Sequence, residues 1–246
     1  MSAERYFEAV LAQLAVIQQE ELPKLTELAR TITDRLETGG TLWSFGCSHA
    51  SILTQELVYR AGGFMLCNAL FSMECDLKVR PALRTSRMER VHDYGRIMIE
   101  ESPAKAGDVL IVASVSGRNA VPIEVAQAGR EMGLYVIGVT SLTASKPLAS
   151  RQKGGLKLYD VVDFILDHHC PIGDAAIEVE GVPSKVGPTS TIGGALILNA
   201  LICEVVAEYA RRGLEPPIFL SGNVDGGDEY NRRMLAKYAD RIHYME

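Results

Sequence analysis

Short polar side chains gather directly after an apolar run at residues 109–112. Ser114 and Ser116 come first, and Gly117 and Asn119 follow them. A helix is predicted to begin here, and a helix N-terminus attracts anions through its unpaired N–H groups and its partial positive charge. No general base adjoins the two serines in the sequence, so they suit phosphate ligands better than nucleophiles. A plain helix cap and turn uses the same residue types, and that alternative stays open.

A second polar loop offers an acid and a base. Glu56 and His49 lie about two helical turns apart on one face of a predicted helix. A glutamate and a histidine that point toward one pocket can transfer protons to and from a substrate. Ser48 and Ser51 stand in the same loop, where we expect them to face the ligand of the first loop. The alternative is an ion pair between Glu56 and Arg60, with His49 as a helix cap.

Two later segments carry further polar candidates. His168, His169 and Cys170 follow a short strand and have side chains of the types that bind metals. Neighbouring residues of a strand point to opposite faces and seldom share one ion, so we predict no metal site there. Ser190 and Thr191 precede a long apolar helix, where we expect them to cap the helix and to add a contact to the ligand.

The elements that must position these loops include a βαβ unit. Residues 108–141 form, in this interpretation, a strand, a polar loop, a helix and a second strand. Pro122 suits a first helical turn, and Gly133 ends the helix. The unit favours a parallel sheet with a right-handed crossover. Because the chain from residue 41 repeats the order of strand, polar loop and helix, both loops are expected at the carboxyl edge of one sheet, where open α/β sheets bind ligands.

The rest of the chain is predicted to be mostly helical. Apolar spacing predicts a helix over residues 3–37 that kinks or restarts at Pro23. Further helices are expected at 88–100, 192–210 and around 231–235, and short strands at 41–45, 65–70 and 164–166. The apolar faces of the first and late helices exceed what one small sheet covers, which predicts a homodimer at least.

Residues 71–90 have no regular pattern and are rich in cations. They carry Lys78, Arg80, Arg84, Arg87 and Arg90. Such a run is typical of a solvated surface. The alternative is a flap that brings positive charge near an anionic substrate.

Composition and charge exclude several classes of protein. The 246 residues are 47% hydrophobic and 23% charged, as in an ordinary soluble protein, and the net charge of −6 argues against non-specific nucleic-acid binding. The N-terminus lacks a signal-peptide pattern, and no apolar run is expected to reach membrane-spanning length. Five cysteines without a CxxC pair suggest reduced thiols. Neither the GxGxxG fingerprint nor the P-loop pattern occurs, so dinucleotides and nucleoside triphosphates are poor candidate ligands.

These features predict a cytoplasmic protein that has neither a membrane nor a nucleic acid as its partner. No repeat or low-complexity linker divides the chain, so we expect one domain over residues 1–246. It would consist of a helical arm (1–38), a sheet core (39–213) and a C-terminal tail with a helix (214–246).

The motifs together resemble the SIS (sugar isomerase) domain family. The likeness rests on Gly46-Cys47-Ser48 ahead of one helix, Ser114-x-Ser116-Gly117-x-Asn119 ahead of the next, and the polar cap at 189–191. Residues 59–63 and 221–228 extend it over nearly the whole chain, closest to single-domain members grouped with phosphosugar (phosphoheptose-like) isomerases. The resemblance implies an α/β fold, a doubly wound three-layer sandwich with a five-stranded parallel sheet of the flavodoxin-like type. It also implies a homodimer or homotetramer with sites near the subunit contacts.

The resemblance further implies roles for individual residues. In SIS enzymes the serine loop holds the sugar phosphate, which implies Ser114, Ser116 and Asn119, with Ser48 from the first loop. A glutamate on the first helix is the proton-transfer base in several members, and Glu56 stands at a similar place. This chain has Asn119 where many members have threonine. Its late helix lacks the glutamine and histidine that phosphoheptose isomerases carry, which argues against a heptose substrate and against zinc.

The leading hypothesis is an aldose–ketose isomerase that acts on a sugar phosphate or an amino-sugar phosphate. Glu56 would move a proton between adjacent carbons through an enediol, and His49 or a histidine from residues 168–169 would assist ring opening. We expect no cofactor, because this chemistry needs no redox group. The alternatives are a sugar-phosphate sensor without turnover, and a SIS-type etherase or deaminase.

Overall fold

A parallel sheet of five strands forms the centre of the computed structural model, which describes residues 1–245. The strands are β1 (Leu42–Gly46), β2 (Cys67–Ala69), β3 (Val109–Ala113), β4 (Tyr135–Thr140) and β5 (Phe164–Asp167). Their order across the sheet is β2-β1-β3-β4-β5, and every neighbouring pair is parallel. The predicted five-stranded parallel sheet of the α/β class is thus confirmed.

Helices cover both faces of this sheet. They are α1 (Ser2–Glu20), α2 (Leu22–Glu37), α3 (Ser51–Leu57), α4 (Leu83–Met88), α5 (Tyr94–Glu100), α6 (Ala120–Glu131), α7 (Leu142–Ser145), α8 (Ser190–Arg211) and α9 (Gly227–Lys237). The central strand β3 is buried along its whole length, and its side chains alternate between two cores. Val109 and Ile111 pack with α2, α3, α8 and α9, whereas Leu110 and Val112 pack with α5 and α6. A strand buried on both faces reads as a continuous apolar run, and the result is the three-layer sandwich that the resemblance implied.

The N-terminal arm consists of two helices. α1 ends at Glu20, and α2 begins at Leu22 with Pro23 in its first turn. Proline is tolerated there because its missing N–H would have no partner in the helix. The predicted restart at Pro23 is confirmed. Glu21 lies at the junction of the two helices and is buried.

Two helices are shorter than predicted. The sequence after β1 predicts a helix that runs to about Arg60. The helix α3 ends instead at Leu57, since Tyr59 has a φ of 47°. The helix predicted over residues 88–100 begins only at Tyr94, because Asp93 has a φ of 68°. Left-handed backbone at a non-glycine residue interrupts a helix.

Three further features have no counterpart in the sequence prediction. Two are the short helices α4, within the segment predicted to be irregular, and α7. The third is an antiparallel hairpin of β6 (Ala175–Ile177) and β7 (Val186–Pro188). Its strands are short, and most of their residues are not buried, so the apolar alternation that predicts a strand is missing.

Helix α8 is long and apolar enough to cross a membrane by length and composition alone, with a mean hydropathy of 1.8. The expectation that no apolar run reaches that length is therefore wrong. Its side chains Leu198, Leu201 and Val205 are buried in the core that α2 and α3 share. One face of α8 is therefore part of the core.

The strand order changes direction between β1 and β3. From β1 the chain continues to β2 on one side, and then returns to β3 on the other. Sheets of this order bind ligands in the crevice at the carboxyl ends of these two strands. Ser48, His169 and Asp174 follow strands at this edge with φ values of 53°, 53° and 66°. Such backbone is strained for residues other than glycine and is common at functional sites.

Candidate functional site

A small cavity of about 50 Å³ lies at the carboxyl edge of the sheet. The loops after β1, β3 and β5 and the beginning of α8 form its walls. Its polar lining consists of His49, Ser114, His168, Asp174, Ser190 and Thr191. The structure thus brings together four residues that the sequence named as site candidates: His49, Ser114, Ser190 and Thr191.

The Ser114 loop is held rigidly by its neighbours. The Ser114 N–H donates to the Val139 carbonyl at 2.9 Å, which extends the pairing of β3 with β4. The Ser145 hydroxyl donates to the Ser116 carbonyl at 2.6 Å. Gly117 has a φ of 53°, and a Cβ there would lie 3.0 Å from the Leu158 side chain. Only glycine fits this close approach without strain.

The hydroxyls of Ser114 and Ser116 remain available for a ligand. Within residues 1–245 neither hydroxyl makes a hydrogen bond to the protein. Both residues are half-buried at the point where β3 gives way to the loop before α6. The alternative of a plain cap and turn predicts local hydrogen bonds from these hydroxyls, and those bonds are not formed among the described residues.

Asn119 is engaged with the protein. Its amide nitrogen donates to Glu89 Oε1 at 2.8 Å, and its amide oxygen accepts from Arg151 at 3.1 Å. The Val121 N–H, in the first turn of α6, donates to the Glu89 carbonyl at 3.1 Å. Burial raises the pKa of the Glu89 carboxyl, against the opposing effect of Arg90 and Arg151. Glu89 therefore covers the N-terminus of α6, and Asn119 supports it rather than lining the cavity.

Ser48 and Ser51 also have protein partners. The Ser51 hydroxyl donates to the Ser48 carbonyl at 2.7 Å, as a local cap. The Ser48 hydroxyl lies 2.9 Å from the Thr85 hydroxyl, on α4. Thr85 and Glu89 together place the segment around α4 over both polar loops. The five cations of residues 71–90 are nevertheless all exposed, as the predicted solvated surface requires, and the flap stays a prediction.

His168 is the most perturbed group in the cavity. Its side chain is 1% exposed, and burial lowers the pKa of the imidazole to about 4. The ring is therefore neutral near pH 7. Its Nδ1 atom is buried without a hydrogen-bond partner in the described chain. The sequence could not distinguish His168 from His169 as the site residue. The choice depends on which of the two side chains turns toward the cavity.

Asp174 is a site residue that the sequence analysis missed. Its Oδ1 accepts from the N–H groups of Thr189 and Ser190 at 3.0 and 2.8 Å, and its Oδ2 accepts from the Ser190 hydroxyl at 2.7 Å. The carboxylate thus caps α8 and occupies the Ser190 hydroxyl. Thr191 remains on the cavity wall with its hydroxyl available. The signal that was present is the Gly173-Asp174 turn after β5.

Glu56 lies outside the cavity, further along α3. It forms an ion pair with Arg60, and Oε1 accepts a hydrogen bond from the Asn199 amide at 2.9 Å. Leu53, one turn earlier on the same helix face, lines the cavity. The ion pair that the sequence offered as an alternative is therefore present. The expected common pocket with His49 is not formed within this one chain.

Comparisons with known proteins agree with this fold. The family model of the SIS domain matches residues 5–141. A UPF0309 protein of Shouchella clausii is 40% identical over 242 residues, which cover 98% of each chain. A phosphoheptose isomerase from Francisella tularensis has a TM-score of 0.55 at 14% identity, with 82% of this chain and 95% of that chain covered. The Vibrio vulnificus NanR protein, complexed with ManNAc-6P, has a TM-score of 0.50 at 15% identity, with 96% and 69% covered. At such identities the two solved structures show a common fold.

Proposed function

The chain belongs to the SIS domain family, and we propose that it binds a sugar phosphate at the carboxyl edge of its sheet and interconverts aldose and ketose forms. One observation carries the proposal. The cavity holds the neutral His168 imidazole, whose Nδ1 atom is buried without a hydrogen-bond partner in residues 1–245. The half-buried Ser114 and Thr191 lie beside it, and their hydroxyls have no protein partner among the same residues. A buried polar atom without a partner is rare, and a ligand is one explanation for it.

The phosphate would bind at the serine loop. The hydroxyls of Ser114 and Ser116 are free to donate to its oxygens, and charge-assisted hydrogen bonds of this kind are strong. Three arginines lie near this loop. The pKa of Arg151 is lowered first by burial and then by the positive charges of Arg118 and Arg90. The three guanidinium groups are therefore close to one another. Their field favours an anionic substrate.

The sugar would extend from the cavity along the surface where α3 and α8 pack together. The cavity of about 50 Å³ is small beside the roughly 300–1,000 Å³ of most ligand pockets, so it suits one end of a substrate. Glu56 stands one turn beyond Leu53, about 4.5 Å further along the helix axis. Asn199 faces Glu56 from α8. A phosphate at the serine loop therefore directs the carbons of the sugar toward this carboxylate.

Glu56 would act as the base that moves a proton between adjacent carbons. The neighbouring Arg60 guanidinium forms an ion pair with this carboxylate and would hold it in place. His168, as a neutral imidazole, would accept a hydrogen bond from a sugar hydroxyl, or donate one to it, during ring opening. His49 also lines the cavity and is a second candidate for this role.

A second subunit would shield this surface from water. Glu56 is partly exposed, while a base that works on carbon needs exclusion of bulk solvent. Large apolar side chains lie exposed on the nearby helices: Phe7 and Leu11 on α1, and Ile192 and Leu196 on α8. Their burial by another copy supports a homodimer or homotetramer, in a soluble and cytoplasmic protein.

A sensor without turnover is the second candidate. One observation favours it: Glu56 is held by Arg60 and Asn199, away from the cavity itself. The fold neighbour NanR was solved with a sugar phosphate bound, so the same fold is compatible with that role.

The phosphate site can be tested by isothermal titration with a panel of sugar phosphates. Replacing Ser114 and Ser116 together by alanine should weaken binding by ~10²–10⁴-fold, since each charge-assisted hydrogen bond is worth roughly 1.5–3 kcal/mol. Ser184→Ala is the matched control, because Ser184 is exposed and lies outside the cavity. A double variant that binds as tightly as this control would show that the serine loop is not the phosphate site.

A further inference from the structure

His169 points away from the cavity, toward the junction of α1 and α2. Its Nε2 atom lies 3.6 Å from Glu20 Oε2 and 3.5 Å from Glu21 Oε1. On the other side of the ring, Nδ1 lies 3.8 Å from Asp167 Oδ2. These separations are longer than good hydrogen bonds, so the imidazole stands between carboxylates without bonding to any of them.

Two polar atoms of this cluster are buried and have no partner in the described chain. They are His169 Nε2 and Glu21 Oε2. Glu21 is 1% exposed, and Lys24 binds only its other oxygen, Oε1, at 2.7 Å. A buried carboxylate is costly unless it is paired or coordinates a metal, so the free oxygen of Glu21 points to a missing cation.

We propose that Glu20, Glu21 and His169 form a binding site for a divalent transition-metal ion, with Zn²⁺ as the best match. One ligand atom from each residue lies within 4.8 Å of the others. Small side-chain rotations bring such atoms to the roughly 2.0–2.2 Å that zinc requires from imidazole nitrogen and carboxylate oxygen. A site of one imidazole and two carboxylates suits zinc and its first-row neighbours better than calcium or magnesium, which prefer oxygen alone.

The surroundings of the cluster match those of a metal ligand. Asp167 faces the second ring nitrogen of His169, as carboxylates do that orient a metal-binding histidine and fix its tautomer. Asp167 is itself held by the N–H groups of His169 and Leu142, at 2.8 and 3.2 Å. Three carboxylates face one ammonium group, that of Lys24, so a divalent cation balances the charge when the imidazole is neutral.

A cleft beside the cluster would give the ion a route from solvent. His169 lines this cleft of about 420 Å³ between α1 and the loop after β5, together with Gln13 and Thr143. Water or a small ligand would complete the coordination. The site does not depend on the proposed sugar-phosphate chemistry, although the ion would hold the loop that also carries His168.

Isothermal titration of the chelator-treated full chain with zinc chloride tests the site. We expect one equivalent of zinc to bind to the parent, and Glu20→Gln to lower the affinity ~10–100-fold. Glu20 is exposed, so this change should leave the fold intact, which a melting curve checks. Glu8→Gln, an exposed glutamate on the same helix, is the matched control and should bind zinc like the parent.

Two further variants make the test decisive. His169→Gln should lower zinc affinity as Glu20→Gln does, whereas replacing the exposed Cys203 by serine should not. Absence of zinc binding by the parent would overturn the proposal. So would unchanged affinity in both Glu20→Gln and His169→Gln, or a loss confined to Cys203→Ser, which would place the zinc elsewhere.

Discussion

The buried imidazole of His168 should make the stability of the protein fall as the pH is lowered. In the folded chain burial lowers the pKa of His168 from 6.5 to about 4. The unfolded chain therefore binds more protons than the folded one between these values, and stability rises with pH in that window. A shift of this size corresponds to about 3 kcal/mol of unfolding free energy. That contribution is present above pH 6.5 and is lost progressively as the pH falls to about 4.

Urea unfolding at several pH values between 4 and 7 measures this loss. His168→Asn removes the titrating group. Between pH 7 and pH 4 the unfolding free energy of the variant should therefore fall by about 3 kcal/mol less than that of the parent. The comparison uses the slope of the unfolding free energy against pH. A destabilisation of the variant that is the same at every pH does not change this slope. A ring-proton titration by NMR, in which His168 stays neutral at pH 5.5, gives a second measure. Equal pH slopes for parent and variant would refute the burial of a neutral imidazole in the cavity.

Two other predictions follow from the flap and from the exposed apolar faces. Glu89→Gln removes a negative charge beside the N-terminus of α6, so sugar-phosphate affinity in a titration should rise ~2–10-fold; a large loss of affinity would instead make Glu89 a ligand. Sedimentation at micromolar concentration should give a dimer or larger, and Leu11→Glu should shift it toward monomer, because Leu11 is 64% exposed on an apolar face. A monomeric mass for the parent would contradict the proposed covering of the surface around Glu56 by a second subunit.

The sheet was predictable because its strands are buried on both faces. The run at residues 109–112 and the loop, helix and strand after it could be recognised without any partner, since a parallel strand reads as continuous apolar sequence. The break at Pro23 was predictable for a similar local reason. The hairpin of β6 and β7 was not, because its exposed strands carry no apolar period.

The contacts that shape the site could not be predicted from the sequence because they join segments that are distant along the chain. Glu89 reaches Asn119, and Asp174 caps α8 across the loop after β5. Local reasoning assigned Asn119 and Ser190 to the ligand, as their residue types allow, but their hydrogen-bonding groups already have partners. The prediction of no metal site rested on residues 168–170 and on the late helix. Neither argument could include glutamates from α1, because their approach to His169 depends on the tertiary fold.

Exchange of deuterium from solvent into a bound sugar phosphate tests the proposed isomerase most directly. Proton transfer through an enediol labels the carbon next to the carbonyl, even when little net conversion occurs. We expect the parent to introduce deuterium there, and Glu56→Gln to abolish it, with turnover lowered ~10²–10⁴-fold and affinity changed by only a few fold. Failure of the parent to exchange deuterium into any sugar phosphate that it binds would contradict the isomerase and leave a sensor. Full exchange by Glu56→Gln would leave Glu56 as only the ion-pair partner of Arg60.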